Sequence, residues 1–335
     1  MDRFEIVATI RRDKETPFDM DHFPKMVKRL YDQGIRRFRV NLAKFSTDYF
    51  DTVIEDIKTA RNQVGNDIHF ILDFPYPQKK SRICVNKNIN LKTGQCIKVF
   101  SSGTVNTLND FEIEINSVMV GKKMKINDSV LYGDGTVCFA VDEIINNDTV
   151  IIRALNSGCI ENAKALNFTG SLVCDDSIFS HIIYMLEKTH CEYLALSFIE
   201  NGKQLQEIKN KLGNVECKII SKVENNVGVE NIEEICDYSD EIMLGRGDLG
   251  LFSDLSLFGL TQEKVIKTCQ KKSKKILLAT DFLSSMENRV FPTRAEIIDV
   301  YNAKKSGVDG IVITYGVVRS RQCSDAIEII QNQKC

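Results

Sequence analysis

Several features that mark particular protein classes are missing from this chain of 335 residues. No two of its eleven cysteines have the Cys-x-x-Cys spacing, and its four histidines (His22, His69, His181 and His190) are scattered, so we expect no zinc site. An odd number of cysteines without paired spacing also argues against a disulfide framework. The pattern is typical of reduced, mostly buried thiols in a cytoplasmic protein.

Long apolar runs and an excess of one charge are also missing. No apolar stretch approaches the roughly 20 residues that a membrane helix needs, and the amino-terminal sequence becomes charged too early for a signal peptide. The 44 Lys and Arg residues and the 46 Asp and Glu residues give a net charge of -2. That balance provides no strong field for nucleic acid or an acidic membrane. We therefore expect a globular cytoplasmic protein that binds neither.

Short apolar runs recur along the chain, and most are followed by a segment of helical period. The eight clearest are rich in Val, Ile and Leu, as strands covered on both faces are; they are residues 4–10, 36–42, 69–74, 192–198, 218–223, 241–246, 275–280 and 310–314. About eight strands alternating with about eight helices predict an α/β fold, the (β/α)8 or TIM barrel. A doubly wound open sheet is the alternative, because periodicity does not reveal whether a sheet closes.

One stretch, residues 76–164, breaks the alternation and contains no convincing helix. Strand-like runs at 95–100, 111–115, 129–131, 137–141 and 149–153 are separated by turn residues there. This pattern predicts a small all-β domain inserted after the third strand of a barrel that residues 1–75 and 165–335 form. Because the active sites of such barrels lie at the carboxyl ends of the strands, the insert would be either a lid over that site or a passive decoration.

Acidic side chains at two neighbouring strand ends suggest a metal site. Lys222 and Glu224 are two residues apart at the end of the fifth strand, so they lie on the same side of it. Asp248 follows the sixth strand in the sequence Gly-Arg-Gly-Asp, in which the glycines let the backbone approach a ligand closely. Two such carboxylates suit one Mg²⁺ or Mn²⁺. The alternative is an ion pair between Lys222 and Glu224 beside an ordinary turn.

Basic side chains at the same end of the predicted barrel suggest an anionic substrate. Arg39, near the end of the second strand, and Lys222 would bring positive charge to the metal site, which predicts a phosphorylated ligand. A surface position for Arg39 is the alternative.

Two common glycine motifs for binding nucleotide phosphates are absent: no Walker-type glycine loop and no Gly-x-Gly-x-x-Gly occurs, so any nucleotide must be held without them. A nucleophilic role for Ser197 has no support, because no Gly-x-Ser-x-Gly surrounds it.

The segments that carry these groups resemble the pyruvate kinase family, in the family's order and over essentially the whole chain. Residues 219–225 (IISKVEN) resemble the segment of the catalytic lysine, residues 243–250 (MLGRGDLG) the metal segment, and residues 292–296 (PTRAE) a third family segment. Residues 6–10 (IVATI) resemble the opening strand, and residues 164–170 (KALNFTG) resemble the stretch that leaves the insert.

The resemblance implies phosphoryl transfer between phosphoenolpyruvate and ADP, giving pyruvate and ATP. By position in the family's segments, Glu224 and Asp248 would bind Mg²⁺ or Mn²⁺. Lys222 would stabilise charge on the transferring phosphoryl group and on the enolate, and Thr280 would belong to the proton path that ketonises the enolpyruvate. The backbone of Gly247 and Asp248 would hold the substrate carboxylate.

The resemblance also implies contacts with phosphates and a homo-oligomeric assembly. Arg39 and Asn41 would face the phosphates, and Lys164 would reach the nucleotide phosphates from the edge of the insert. The chain stops at Cys335, before the regulatory domain usual in the family. We therefore expect no activation by sugar phosphates and an altered oligomer.

The monovalent-cation site departs from the family. The family uses Asn, Ser, Asp and Thr, and the corresponding residues here are Asn41, Ala43, Asp73 and Phe74, so two oxygen ligands are lost. Lys44 is adjacent to these positions. We hypothesise that its ammonium group replaces potassium, so that K⁺ is not required.

Other departures fall in the loops. Arg11-Arg12-Asp13-Lys14 replaces the usual Gly-Pro turn after the first strand, which puts the nucleotide site in doubt. Lys80 or Arg82 would have to substitute for an arginine of the loop after the third strand. Thr314-Tyr315-Gly316 stands where the family has Ser-Gly-Glu, and Asp281 where it has glutamine.

Two further functions fit the same residues. One is a different metal-dependent enolate reaction on a pyruvate-like acid, such as aldol cleavage or decarboxylation. The other is a non-catalytic relative that binds a metabolite or a protein. The retention of Lys222, Glu224, Asp248 and Thr280 argues against the last, because a decayed site would tolerate their loss.

Overall fold

The computed structural model describes residues 4–11, 23–42, 49–76, 81–133, 135–168 and 178–334. Contacts divide the chain into two compact units, Met1–Pro77 with Asp175–Cys335 and Gln78–Cys174. The return from the insert, expected at residue 165, comes later. The strand Leu166–Phe168 pairs antiparallel with Ser129–Tyr132 and therefore belongs to the second unit.

Eight parallel strands of the first unit form a closed barrel in which each strand pairs with its neighbours in chain order. From the first to the eighth they are Glu5–Ile10, Arg37–Asn41, His69–Phe74, Tyr193–Leu196, Lys218–Val223, Glu241–Gly245, Lys275–Ala279 and Gly310–Ile313. The first and eighth strands close the barrel with Glu5 opposite Gly310. The predicted α/β barrel is confirmed, and the open sheet is excluded.

Helices connect these strands and cover the outside of the barrel. In the described parts of the first unit they are Phe23–Asp32, Phe50–Val64, Ile178–Thr189, Gly202–Leu212, Asn226–Glu230, Ile232–Tyr238, Arg246–Phe252, Phe258–Lys271, Arg294–Lys305, Tyr315–Arg319 and Cys323–Asn332. The apolar periods seen in the sequence form their buried faces; in Gly202–Leu212, for example, Leu205, Ile208 and Leu212 are all buried.

Two layers of apolar side chains make the core of this unit. One layer lies between the strands and the helices and is centred on residues such as Phe38, Phe70 and Phe74. The other fills the barrel interior and consists of Val7, Ile71, Ala195, Ile220, Met243, Leu277, Ala279 and Val312. Because the interior is packed, polar groups that follow these residues toward the carboxyl ends of the strands gather above it.

The second unit is built mainly of strands. A seven-stranded sheet contains Ile83–Cys84, Cys96–Ser101, Glu112–Ile115, Ser129–Tyr132, Val137–Asn146, Thr149–Ala154 and Leu166–Phe168, and Ile89–Leu91 pairs with Gly158–Ile160. One short helix, Val120–Lys123, lies where we expected none. Its four residues are too few to show a helical period in the sequence.

The cysteines are less buried than expected. Nine of them lie in the described residues, and none of these forms a disulfide; only four are buried. Three in the second unit are exposed because they occupy outward-facing positions or edges of its strands, namely Cys84, Cys96 and Cys159.

Across the described ranges, every helix is too short or too polar to cross a bilayer.

Candidate active site

Lys222 lies at the centre of a buried polar cluster. It follows Ser221 near the carboxyl end of the fifth strand, and its side chain is only 9% exposed. Its Nζ lies 3.3 Å from Asp73 Oδ1 and 3.1 Å from Glu224 Oε1, and it donates a hydrogen bond of 2.8 Å to Ser197 Oγ. These partners come from the ends of the third, fourth and fifth strands, which pair side by side, so the parallel pairing brings them together.

Asp73 links Lys222 to Arg39. Arg39 Nε lies 2.6 Å from Asp73 Oδ2, and Arg39 Nη1 donates to Thr9 Oγ1 at 3.2 Å. Burial by itself would raise the pKa of Asp73, but the guanidinium of Arg39 and the ammonium of Lys222 hold that pKa below its usual range. The side chain of Arg39 is 16% exposed, so the alternative of a surface position is wrong.

Lys222 is held in its charged form. Burial lowers the pKa of its ammonium group, but the carboxylates of Asp73, Glu224 and Asp248 more than offset that effect and raise the pKa. Asp248, which follows the sixth strand, thus adds to the negative field at Lys222. The site therefore presents a fixed cation among carboxylates, which suits charge stabilisation better than proton abstraction.

Glu224 is held in place by backbone. Its Oε2 accepts a hydrogen bond of 3.0 Å from the Phe198 amide. Gly245, at the end of the sixth strand, provides the space beside it, since a Cβ at that position would lie 2.7 Å from Glu224 Oε1. Asp248 lies in the first turn of the following helix, Arg246–Phe252.

The two carboxylates near Lys222 fit a divalent ion that takes most of its ligands from water and substrate and not from the protein. Glu224 and Asp248 supply carboxylate oxygens, the ligands that Mg²⁺ prefers. In the part of the chain that the structure describes, no group of three or more His, Cys, Asp and Glu side chains could hold a metal unaided. A Mg²⁺ bound by two carboxylates would use water and substrate oxygens for its other positions.

Thr280 follows the seventh strand in an unusual conformation. Its φ is +83°, and that of Asp281 is +64°; positive φ is a rare outlier for a β-branched residue. Thr280 packs against the turn that carries Asp248, because a Cβ on Gly247 would lie 3.0 Å from Thr280 Cγ2. The structure thus brings Gly247 and Thr280 together.

Arg246 is a site residue that the sequence reasoning missed. Its Nε and Nη2 donate to the Thr280 carbonyl at 3.2 and 2.5 Å. Its Nη1 and Nη2 also lie 2.9 and 2.8 Å from the two carboxylate oxygens of Asp299. Asp299 lies in the helix that begins at Arg294, within the PTRAE segment, and nothing in the local sequence indicates that it reaches the end of the sixth strand.

Ser197 was also missed as part of the site. It ends up beside Lys222, as the acceptor of its 2.8 Å hydrogen bond. Its position one residue after the fourth strand was the available signal, because residues at that end of every strand face the same region.

The remaining predicted residues lie on the second strand, in the second unit or outside the described residues. Asn41 lies opposite Asp73 in the pairing of the second and third strands. Lys164 and Arg82 belong to the second unit, where Lys164 Nζ lies 3.9 Å from Glu161 Oε2 and Arg82 Nη1 donates to the Ala163 carbonyl at 2.9 Å. The residues outside the description are Arg12, Asp13, Lys14, Ala43, Lys44 and Lys80.

Comparisons with known proteins agree with one family. Residues 1–319 match the family described as pyruvate kinase, barrel domain. The pyruvate kinase of Borreliella burgdorferi is 29% identical over 332 residues, 97% of this chain and 66% of the relative. That of Bacillus licheniformis is 27% identical over 341 residues, 99% of this chain and 56% of the relative.

Solved structures give the same result. A crystal structure of Cryptosporidium parvum pyruvate kinase has a TM-score of 0.84 and 27% sequence identity, and the match covers 98% of this chain and 69% of that chain. The chain spans between about half and two thirds of the length of the curated relatives that it matches.

Proposed function

Because this chain belongs to the pyruvate kinase family, we propose that it transfers a phosphoryl group between phosphoenolpyruvate and ADP, giving pyruvate and ATP. The observation that carries the proposal is the buried ammonium of Lys222, held 3.3 Å from Asp73 and 3.1 Å from Glu224 at the carboxyl end of a barrel. Phosphoryl transfer depends on positioning and on stabilising charge, and a fixed cation among carboxylates provides both.

Glu224 and Asp248 would hold Mg²⁺ or Mn²⁺. When bound, the ion would neutralise negative charge on phosphoryl and enolate oxygens. The protein's part is to orient the two carboxylates. It fixes Glu224 through the Phe198 amide and leaves space for it at Gly245.

Lys222 and Arg39 would stabilise the transferring group. Since the pKa of Lys222 is raised, the side chain stays charged as negative charge moves between the phosphoryl group and the enolate oxygen. Ser197 and Asp73 hold its ammonium from two sides, while Asp73 also fixes the guanidinium of Arg39. Both cations are thus positioned before a substrate arrives, which reduces the cost of reorganisation.

The substrate's other end would meet the sixth and seventh strand ends. The backbone of Gly247 and Asp248 would hold the carboxylate, and Thr280, packed against Gly247, would belong to the path that delivers a proton to the enolate. Asn41 and Lys164 would bind the nucleotide phosphates.

We propose further that the reaction does not require K⁺. Phe74, which replaces an oxygen ligand of the family, is fully buried and lies against the ring of Phe50, with centroids 6.0 Å apart. Its side chain has no oxygen with which to bind a cation. Lys44 would provide the missing positive charge.

A lyase, aldolase or decarboxylase that acts on a pyruvate-like acid is the second candidate. It is favoured by one contrast: the groups suited to an enolate, Lys222, Glu224 and Thr280, are present, while the cation position at Phe74 is changed. Such an enzyme would use the same metal-stabilised enolate without a nucleotide.

One assay separates the two. The protein is incubated with phosphoenolpyruvate, ADP and Mg²⁺, with and without K⁺, and pyruvate and ATP are measured. Equal amounts of both products at rates independent of K⁺ are expected. Strong activation by K⁺ would contradict the role of Lys44. Formation of neither product, together with Mg²⁺-dependent binding of phosphoenolpyruvate, would reject phosphotransfer and favour the second candidate.

A further inference from the structure

Arg246 joins three parts of the barrel that are distant in sequence. Its guanidinium pairs with both carboxylate oxygens of Asp299, donates twice to the Thr280 carbonyl, and lies 4.0 Å from the centroid of the Phe282 ring. The side chain is 8% exposed. Nearly all of its hydrogen-bonding capacity is therefore spent on one aspartate and one backbone carbonyl.

The carbonyl that Arg246 holds belongs to a sterically disfavoured segment. Thr280, Asp281 and Leu283 have φ values of +83°, +64° and +53°. Non-glycine residues in this region persist only where their surroundings impose the conformation. At Thr280, two hydrogen bonds from Arg246 hold the backbone carbonyl. Gly247, which has no side chain, leaves space for the Thr280 methyl group.

The helix that carries Asp299 is anchored at its amino terminus. This helix, Arg294–Lys305, has a capping box between Thr293 and Glu296. Glu296 also accepts hydrogen bonds of 2.7 and 2.6 Å from the amide and hydroxyl of Ser285. The helix therefore fixes the segment after the seventh strand at two points, at Ser285 directly and at Thr280 through Arg246.

We propose that Arg246 and Asp299 are positioning residues that hold Thr280 in its left-handed conformation and thereby align its side chain for proton delivery. The inference rests on the proposed function. In that reaction the enolate left by phosphoryl loss takes one proton at its methylene carbon; the electron pair of the carbon–carbon double bond forms the new C–H bond, and the enolate oxygen becomes the pyruvate carbonyl. Arg246 touches no reacting atom and acts through Thr280.

An arginine is needed for this arrangement. Its planar fork pairs with a carboxylate in two parallel hydrogen bonds, and its remaining N–H group can still donate elsewhere. A lysine at this position has one nitrogen and could not hold both Asp299 and the Thr280 carbonyl in fixed directions. The variants Arg246→Lys and Asp299→Asn each break the arrangement with little change in volume.

The first test compares two rates in each variant: phosphoryl transfer from phosphoenolpyruvate to ADP in a single turnover, and exchange of pyruvate methyl protons with solvent. We expect Asp299→Asn and Arg246→Lys to slow proton exchange by roughly tenfold or more, with the KM for phosphoenolpyruvate changed less than about twofold. In a double-mutant cycle, adding Arg246→Lys or Asp299→Asn to Thr280→Ala should reduce the proton-exchange rate little further. Equal losses in both rates, or multiplicative losses in the cycle, would overturn the inference.

The control is Asp237→Asn, which breaks an exposed pair whose Lys272 Nζ lies 2.8 and 3.0 Å from the two carboxylate oxygens of Asp237. It should leave both rates unchanged. If Asp299→Asn does not fold, Arg246→Lys tests the same contact.

A second measurement does not depend on activity. In NMR spectra of protein labelled with ¹³C-methyl threonine, the methyl signal of Thr280 is assigned by its loss in Thr280→Val. Its chemical shift should change in Asp299→Asn and in Arg246→Lys. It should stay unchanged in Asp237→Asn. An unmoved signal would overturn the inference. A shifted signal in a protein without turnover or exchange would support the positioning role and reject the proposed function.

Discussion

Asp73 divides its carboxylate between two cations: Oδ2 lies 2.6 Å from Arg39 Nε, and Oδ1 lies 3.3 Å from Lys222 Nζ. The aspartate side chain is 3% exposed. One carboxylate on the third strand thus fixes charged groups from the second and fifth strands, and both cations keep their positions without a bound substrate.

Replacing Asp73 with asparagine should be costly. The change keeps the shape but leaves two cations with less compensating charge, so we expect a loss of about 3 kcal/mol in the free energy of unfolding and a large fall in turnover. Urea unfolding measures the first. Asp32→Asn, which breaks the exposed Lys28–Asp32 pair, should cost less than about 1 kcal/mol. Equal effects of the two changes would contradict the bridging role of Asp73.

Removing the hydroxyl of Ser197 should affect catalysis more than stability. Ser197→Ala deletes the 2.8 Å acceptor of Lys222, so turnover should fall by up to about tenfold, while the free energy of unfolding falls by about 1 kcal/mol. Ser221→Ala is the matched control, because its hydroxyl, one residue before Lys222, contacts Ser239 at 2.6 Å instead. Similar turnover in both variants would argue against an orienting role for Ser197.

A methyl group at residue 245 should disturb the metal site. In Gly245→Ala the new Cβ would lie 2.7 Å from Glu224 Oε1, so the carboxylate must move, and the Kd for Mn²⁺, measured by electron paramagnetic resonance, should rise by roughly tenfold or more. Gly259→Ala is the control, since among the described residues no heavy atom beyond its chain neighbours and its own helix backbone lies within 4 Å of the added Cβ. If Gly245→Ala binds Mn²⁺ like the unmodified protein, Glu224 is not a ligand.

Stability should depend on pH through Glu296. Burial by itself would raise the pKa of this carboxyl, but hydrogen bonds from Ser285 and Thr293 hold it below its ordinary value of 4.5. Because the folded-state pKa is the lower one, the stabilisation is complete at neutral pH and is lost as pH falls through the folded-state pKa.

The test is the difference in unfolding free energy between the unmodified protein and Glu296→Gln. We expect this difference in unfolding free energy to be about 1 kcal/mol at pH 7. It should shrink progressively as the pH drops below 4.5. A difference that stays constant or grows with acid would show that the charge of Glu296 does not strengthen the helix cap.

The sequence predicts much of this site because strands are regular. A two-residue spacing places Lys222 and Glu224 on one side of a strand end, and a barrel gathers successive strand ends at one opening. The barrel, confirmed here, therefore brings Lys222 to within 3.3 Å of Asp73 as well.

Other contacts could not be derived in this way. The pairing of Arg246 with Asp299 joins residues 53 positions apart and depends on the tilt of a helix. The hydrogen bond from Lys222 to Ser197 depends on the rotamers of both residues. The insert returns later than predicted because Leu166–Phe168 pairs with a strand more than thirty residues earlier, which no local pattern reveals.

The central claim is that the charge of Lys222 stabilises a phosphoryl group in transfer. The most direct measurement is the single-turnover rate of ATP formation from phosphoenolpyruvate and ADP in the unmodified protein and in Lys222→Met, with Mn²⁺ binding followed in both. The account predicts a loss of about 10²-fold or more in Lys222→Met, with the metal still bound. A rate within about threefold of the unmodified protein, well below what the loss of one such charge costs, would contradict it.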